Sequence, residues 1–383
     1  MYNAKAKPIF YFPRTHRNAE RDRFPSRYTM KIIHTADIHL GSKMDSRFGK
    51  TVSDERKAEV RNTFRRLVEY AKEEGVAVVM LCGDIFDSDR PFKKDKDFFY
   101  SVIKSTPEID FLYLKGNHDT DDKLPEVLPE NLKLFSDKWT SYAYENTVIS
   151  GTEITAANAS SYPAALSLRK DTLNIVMLHG QASDGAGGSV NLKKLKNRNI
   201  DYLALGHIHK PSEGVLDERG VYVYCGCLEG RGFDETGEHG FVLLDTAGGK
   251  IAHTFIPFAE RRIREIDADI TGSKNAYEAY KKVCAGVKFE KRDLYRINLV
   301  GEIDFDVDKL AGDVEKLLAS ACFFISVKDK TEKKIDVGKY ANDLSIKGEF
   351  IRTVYAETDL GDEEKTAVIR LGLRALEGKE IDL

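Results

Sequence analysis

From residue 30 to residue 258, short apolar runs alternate with amphipathic stretches, a pattern typical of a sheet with helices on its faces. The first such stretch, 54–74, places Phe64 and Leu67 on one helical face, and Gly75 is expected to end the helix. We therefore predict an α/β fold. The predicted strands are 31–35, 77–82, 111–114, 174–178 and 202–205.

The pattern changes after residue 258. A β-α-β-α-β order predicts a small second α/β domain over 259–335, and two further helices form a tail over 336–383. In the last helix, apolar residues recur at helical spacing; they either pack on their own domain or dock a partner helix, and both interpretations stay open. The predicted elements are strands 262–268, 294–300 and 323–328 and helices 275–285, 306–319, 339–356 and 362–377.

The first 29 residues are basic and lack the apolar core of a secretory signal. A nucleic-acid arm or a transit peptide would fit this composition. We favour an unstructured extension or an upstream mis-start, because Met30 directly precedes the first strand.

Composition narrows the class of protein. The chain has 383 residues, 42% hydrophobic and 32% charged, which is ordinary for a soluble protein of two or three domains. No apolar run approaches the roughly 20 residues that a membrane span needs. Five scattered cysteines favour a reducing cytoplasm over a disulfide framework. The net charge of −3 is no global signature of DNA binding, so any basic surface must be local.

Polar side chains that commonly bind metals follow each of the five predicted strands of the first domain. Five of the nine histidines lie there. Because the carboxyl ends of parallel strands meet at one edge of a sheet, side chains distant in sequence are expected to converge. One such motif would be weak evidence, but five in order are hard to explain as packing, since burying them without an ion would be costly. The residues are Asp37, His39, Asp84, Asn117, His118, Asp119, His179, His207 and His209.

Carboxylate, imidazole and amide donors without thiolate suit Mn, Fe or Zn. Seven of the nine residues are candidate ligands, which are too many for one ion and fit two. Two ions require a bridging carboxylate and can clamp a phosphate diester between them. Two such ions also lower the pKa of a bound water and so supply hydroxide near neutral pH. These residues therefore predict a two-metal phosphoesterase.

The motifs resemble those of the calcineurin-like metallophosphoesterases. Within that superfamily, residues 33–41 and 84–91 are similar to the SbcD-type nucleases of DNA double-strand-break repair, and the later domains match more loosely. The resemblance implies a four-layer α-β-β-α sandwich core, a small α/β cap domain and C-terminal helices. It also implies two divalent ions, Mn²⁺ foremost, 3′-to-5′ exonuclease and endonuclease activity on DNA, a homodimer and an SbcC-like coiled-coil ATPase partner.

The resemblance also implies roles for individual residues. Asp84 would bridge the ions, and His118 would face the scissile phosphate and help protonate the departing oxygen, with Asp119 orienting it. The other ligands divide into two sets: Asp37, His39 and His209 for one ion, and Asn117, His179 and His207 for the other.

Several positions keep alternative interpretations. Asp87 stands where archaeal and eukaryotic relatives typically carry histidine. It either positions His118, contacts substrate through water or only shapes its loop, and with Arg90 it is the candidate substrate contact. Residues 231–235 either support the site or form a structural turn. His34 and Asp119 would alternatively serve only local hydrogen bonding.

Two other functions fit part of the pattern. A phosphatase or cyclic-nucleotide phosphodiesterase would use the same core on small substrates, for which the cap and the tail are less needed. A non-catalytic scaffold that binds DNA ends would not require the complete ligand set or His118.

Overall fold

The computed structural model describes residues 29–44, 48–88, 90–119, 127–185, 188–305, 309–334, 337–376 and 378. The chain divides into two compact units between Arg262 and Ile263. The sequence predicted a boundary after residue 258 and another after residue 335, whereas the second unit contains the predicted cap from residue 263 onward together with the predicted tail. The basic extension, apart from Thr29, lies outside the described residues.

The first unit contains fourteen strands and four α-helices among its described residues, with a short 3-10 helix at Ala247–Gly249. In chain order they are β1 (Lys31–Thr35), α1 (Lys50–Glu73), β2 (Val76–Cys82), α2 (Lys93–Lys104), β3 (Asp110–Leu114), β4 (Leu132–Leu134), β5 (Thr140–Tyr144), β6 (Thr147–Gly151), α3 (Tyr162–Ala165), β7 (Leu173–His179), β8 (Ala182–Ser183), β9 (Val190–Asn191), α4 (Leu192–Leu195), β10 (Tyr202–Gly206), β11 (Ser212–Val215), β12 (Val221–Tyr224), β13 (Gly240–Asp245) and β14 (Ala252–Pro257).

Two six-stranded sheets pack face to face in this unit, in the orders β14-β13-β1-β2-β3-β4 and β11-β12-β10-β7-β6-β5. Alternate side chains of the central strands, such as Met80 of β2 and Met177 of β7, are fully buried in the core between the sheets. Side chains of the opposite faces pack against helices: Tyr113 of β3 contacts Phe99 of α2, and Leu203 of β10 lies in a cluster with residues of α3 and α4. This layering confirms the four-layer α/β sandwich.

The five strands predicted from apolar runs are all present, within one residue at either end, as β1, β2, β3, β7 and β10. The sequence missed the outer strands of both sheets. β14, for example, pairs antiparallel with β13 at one edge of its sheet. An outer strand has fewer neighbours to bury its side chains, so its apolar run is shorter or more broken by polar residues.

The second unit begins with a parallel three-stranded sheet in the order β15-β16-β18. Val283 of α5 and Val314 of α6 are fully buried in one cluster with Ile297 of β16. The elements are β15 (Ile263–Asp269), α5 (Ala276–Gly286), β16 (Leu294–Val300), β17 (Glu302–Ile303), α6 (Leu310–Leu318), β18 (Phe324–Asp329), β19 (Glu332–Lys333), a 3-10 helix at Val337–Tyr340, α7 (Ile346–Ala356) and α8 (Asp362–Leu376).

The predicted helix over 339–356 is wrong in its first half. The 3-10 helix ends at Tyr340, and α7 begins after Ser345, whose side chain caps the helix by accepting a hydrogen bond from Gly348 N. The predicted helix 306–319 begins at Leu310 in the described chain, and residues 306–308 lie outside it. The tail is joined to the small sheet region by Arg370 of α8, which forms ion pairs with Glu302 and Glu332.

No helix among the described residues combines the length and the apolar character that crossing a membrane requires.

Candidate metal centre

The candidate site lies where β1, β2, β3, β7 and β10 end. β1, β2 and β3 run parallel to one another, as do β7 and β10, so within each sheet the carboxyl ends of these strands share one edge. The structure brings all seven predicted ligands together at this place. Among the described residues, two groups of His and Asp side chains have the spacing that a metal ion requires.

The first group consists of Asp37, His39 and His209, whose ligand atoms all lie within 4.8 Å of one another. The Nε2 atoms of His39 and His209 are 3.2 Å apart, and His209 Nε2 is 3.8 Å from Asp37 Oδ1. Asp37 and His39 are almost fully buried. Three donors from the loops after β1 and β10 therefore point at one small volume.

The second group consists of Asp84, His179 and His207, with the same spacing limit of 4.8 Å. Asn117 Oδ1 lies 3.1 Å from both His179 Nε2 and His207 Nδ1, so the amide belongs to this group as well. His179 Nε2 is 3.4 Å from Asp84 Oδ2. Oxygen and nitrogen donors without thiolate fit a divalent ion such as Mn²⁺.

Asp84 lies between the two groups. Its Oδ2 atom is 3.4 Å from His179 Nε2 in the second group and 4.0 Å from His39 Nε2 in the first. A single carboxylate oxygen thus faces imidazoles of both groups. This is the position that a bridging ligand between two ions requires.

Four of the seven ligand residues have left-handed backbone conformations although they are not glycine: φ is 51° at Asp37, 52° at His39, 53° at Asp84 and 96° at His207. Such conformations cost roughly 1–3 kcal/mol each and persist where surrounding structure enforces them. The surrounding structure therefore holds these ligand residues in backbone conformations that would otherwise be unfavourable.

Glycines allow the strand ends to approach closely. A Cβ atom on Gly116 would overlap the carboxylate and the backbone nitrogen of Asp84, and one on Gly206 would overlap the carbonyl oxygen of Cys82. Neither residue has a positive φ. Lack of space, and not a turn conformation, therefore excludes a larger residue at both positions.

The electrostatics of the centre favour bound positive charge. Burial raises the pKa of Asp37 to about 7. Burial also acts to raise the pKa of Asp84, but the hydrogen bond and the charge of His179 outweigh it and hold that pKa at about 2. For His179, burial acts to lower the pKa, but the carboxylates of Asp84 and Asp37 outweigh it and raise the pKa to about 9. A bound cation or a proton thus stabilises carboxylates in a buried cluster.

His118 is exposed at the rim of the centre. Its ring centroid is 5.2 Å from that of His39, and its backbone N–H donates a 2.8 Å hydrogen bond to Asp84 Oδ1. The side chain therefore stands beside the ligands and is open to a bound substrate, where an acid for a leaving group has to be.

Asp119 has a buried position different from the predicted one beside His118. Its carboxylate accepts hydrogen bonds from the backbone N–H groups of Gly116, Ile85 and Phe86, at 2.9 to 3.1 Å. Burial raises the pKa of this carboxyl. Asp119 therefore ties the loop after β3 to the loop after β2, and it acts on the site through the backbone.

Asp87 and Arg90 were the candidate substrate contacts. Asp87 Oδ1 lies 2.9 Å from His39 Nδ1 and accepts a 2.7 Å hydrogen bond from Arg231 Nη1, so its carboxylate is engaged with protein groups. Arg90 is exposed, and its backbone N–H bonds the Ser88 hydroxyl. These contacts place Asp87 beside a ligand histidine, a role that was not among its three alternatives.

The segment 231–235 supports the site. Glu235 Oε1 lies 2.7 Å from His209 Nδ1, and Arg231 contacts both Glu235 and Asp87. The sequence left a structural turn as an equal alternative. Only the burial of both side chains distinguishes the two cases.

His34, Cys225 and Cys227 have structural roles. The fully buried ring of His34 on β1 contacts the Tyr202 hydroxyl at 3.0 Å and the Leu205 carbonyl at 3.2 Å, both on β10, and so joins the two sheets. Cys225 directly follows β12, and Cys227, two residues further on, forms an isolated β-bridge with Ala36.

Comparison with known families places this architecture in a class. Residues 30–211 match the calcineurin-like phosphoesterase family. This stretch contains β1, β2, β3, β7 and β10 and all seven ligands. Over this stretch the first unit is therefore similar to the calcineurin-like phosphoesterases.

Sequence identity to individual relatives is low. The chain is 27% identical over 275 residues to the uncharacterized metallophosphoesterase YhaO of Bacillus subtilis, covering 66% of each chain. It is 27% identical over 213 residues to the DNA double-strand break repair protein Mre11 of Saccharolobus solfataricus, covering 51% of this chain and 54% of that one. For Mre11 of Sulfolobus acidocaldarius the identity is 23% over 311 residues, covering 75% and 79%. The chain thus spans less than two thirds of the length of the first two relatives.

Proposed function

We propose that this chain is a metal-dependent DNA nuclease of the SbcD type, with 3′-to-5′ exonuclease and endonuclease activity in double-strand-break repair. The observation that carries the proposal is the pair of ligand groups that share Asp84 beside the exposed His118. Two relatives that carry the name of a DNA double-strand break repair protein support DNA as the substrate.

The residues present fit two divalent ions, with Mn²⁺ our first choice. Asp37, His39 and His209 would hold one ion, Asp84 would bridge, and the group with Asn117, His179 and His207 would hold the other. Bound there, the ions would lower the pKa of a coordinated water and offset the charge of a phosphodiester.

The protein's own groups would perform the remaining steps. His118 is exposed within reach of the ligand cluster, so its imidazole would contact the scissile phosphate and donate a proton to the departing sugar oxygen. The hydrogen bond from His118 N to Asp84 Oδ1 holds the backbone of His118 beside the bridging carboxylate. Asp119 would act as a positioning residue, because its carboxylate binds the backbone of both the loop after β2 and the loop after β3.

The proposed partners belong to the same function. An SbcC-like coiled-coil ATPase would dock on the C-terminal helices, where Val368, Leu371 and Leu376 of α8 are more than a third exposed. A homodimer and a cytoplasmic location are also part of the proposal.

Substrate preference tests the assignment. With Mn²⁺ present, the purified chain is incubated in parallel with end-labelled linear duplex DNA, a cyclic nucleotide and a nucleotide monoester, and EDTA serves as the blank. We expect metal-dependent shortening of the DNA at rates well above hydrolysis of the small substrates. Hydrolysis of the small substrates alone would indicate a phosphatase or phosphodiesterase. DNA binding without cleavage of any substrate would indicate a scaffold.

A further inference from the structure

The imidazoles of the two ligand groups are held in place by different kinds of partner. In the first group, His39 Nδ1 lies 2.9 Å from Asp87 Oδ1 and His209 Nδ1 lies 2.7 Å from Glu235 Oε1. In the second group, His179 Nδ1 lies 2.9 Å from the backbone carbonyl of Cys82. Carboxylates therefore orient the two imidazoles of the first group, whereas a backbone carbonyl orients His179.

One arginine links the two carboxylates that contact the histidines of the first group. Arg231 Nη1 donates to Asp87 Oδ1 and Arg231 Nη2 donates to Glu235 Oε1, each at 2.7 Å. The backbone N–H of Arg231 donates to Glu235 Oε2 at 2.6 Å, which fixes the second oxygen of that carboxylate. The side chains of Arg231 and Glu235 are only 9% and 5% exposed, so water can replace few of these bonds.

The chemistry of these groups explains the arrangement. An imidazole binds a metal through one nitrogen when the other donates its hydrogen, and a carboxylate beside Nδ1 selects the form whose Nε2 lone pair is free. The buried Glu235 carboxylate and the half-buried Asp87 carboxylate need a compensating charge, and the planar guanidinium can bond both at once in a fixed geometry. The ammonium group of lysine lacks this planar arrangement of donors.

We infer that Arg231, Glu235 and Asp87 form a brace that sets the metal affinity of the first group, Asp37, His39 and His209, and leaves the second group unaffected. The two ion sites would then respond to different substitutions, with the first depending on a loop that follows β12. This inference rests on the dimetal centre of the proposed function but not on DNA as the substrate.

Arg231 and Glu235 are positioning residues, since they act through the ligand histidines. Their test is therefore metal binding without substrate, measured by calorimetry with Mn²⁺ on the full chain. Two background substitutions allow the ion sites to be measured separately. His207→Ala weakens metal binding at the second group and leaves the first group intact, and His209→Ala weakens metal binding at the first group and leaves the second intact.

In the His207→Ala background, we expect Arg231→Gln and Glu235→Gln to weaken Mn²⁺ binding by about 10- to 100-fold, the usual effect of losing a residue that orients a metal ligand. In the His209→Ala background, the same changes should leave Mn²⁺ binding unchanged within about threefold. Arg231→Lys should recover part of the affinity, because it keeps the charge but cannot bond both carboxylates.

Arg219 provides a matched control. It is also a partly buried arginine, it bonds Asp201 Oδ2 at 2.7 Å, and it bonds backbone carbonyls away from the ligands. Arg219→Gln should lower the melting temperature of the metal-free protein without changing Mn²⁺ affinity in either background.

The outcomes distinguish the inference from the proposed function. Equal weakening in both backgrounds, with a large loss of metal-free stability, would show general damage and overturn the brace. Unchanged affinity in both backgrounds would also overturn it. If the wild-type chain binds fewer than two Mn²⁺ ions, the dimetal centre itself fails, whatever the variants do.

Discussion

The backbone N–H of His118 donates a 2.8 Å hydrogen bond to Oδ1 of Asp84, the carboxylate that faces both ligand groups. The candidate acid and the candidate bridge are thus joined through the main chain, and the imidazole of His118 takes no part in the bond. Removing that imidazole therefore leaves the bridge in place, which allows catalysis and metal binding to be tested separately.

His118→Ala should lower the rate of phosphodiester cleavage by roughly 10²- to 10⁴-fold, the usual contribution of a general acid. Its Mn²⁺ affinity should match that of the wild type, because the bond to Asp84 comes from the backbone. Cleavage is followed on labelled DNA and binding by calorimetry. His253→Ala, on β14, is the control histidine. Wild-type cleavage by His118→Ala would remove this residue from the mechanism.

Asp84→Asn should impair both ion sites together. The substitution keeps the shape but removes the charge that faces His39 and His179. The loss of Mn²⁺ affinity should exceed the about 10- to 100-fold effect of residues that only support ligands. Metal content after dialysis measures the result, with the exposed Asp171→Asn as the control. Retention of two ions by the Asp84 variant would rule out bridging.

Gly116→Ala should damage the centre through space alone. The added Cβ would overlap Asp84 Oδ1 and Asp84 N, so either the carboxylate or the loop must shift. Overpacking of this kind typically costs about 1–3 kcal/mol of stability. We expect a lower melting temperature and weaker Mn²⁺ binding than in Gly49→Ala, where nothing lies within 4 Å of the new atom. Equal behaviour of the two variants would contradict the close packing.

His34 should make the metal-free protein sensitive to mild acid. Burial lowers its pKa from 6.5 to about 3, so the folded state keeps the ring neutral while the unfolded chain gains a proton below pH 6.5. The free energy of unfolding therefore falls as pH drops from about 6.5 toward 3. Between pH 7 and pH 5 the histidine accounts for about 2 kcal/mol of that fall.

Urea unfolding in EDTA at the two pH values measures this contribution. His34→Gln should lose about 2 kcal/mol less than the wild type between pH 7 and pH 5. His253→Gln is the comparison, since that ring lies at a sheet edge and is partly exposed. An unchanged pH dependence in His34→Gln would show that the burial of this ring does not govern acid stability.

The sequence was most informative about the centre of the first unit. Apolar runs such as Tyr202–Gly206 are buried on both faces, so their pattern is unbroken and their ends are sharp. The ligands follow those ends directly, which made Asp37 and His207 recognisable by position. β5, with alternating half-buried and exposed residues, gave no comparable signal.

The supporting residues were less predictable. Arg231 and Glu235 could be noticed but not assigned, because their partners Asp87 and His209 come from other loops. The resemblance implied that Asp119 orients His118, yet its carboxylate accepts hydrogen bonds from the backbone of Ile85 and Phe86, more than thirty residues away.

The sequence by itself determined which side chains end the buried strands, and hence the α/β fold and the set of seven candidate ligands. These follow from local hydrophobicity and from residue type, which the linear order records. The tertiary structure alone decided that Asp84 faces both groups and that Arg231 links two carboxylates. It also decided that His34 joins the sheets, because distances and burial arise only when separate segments pack together.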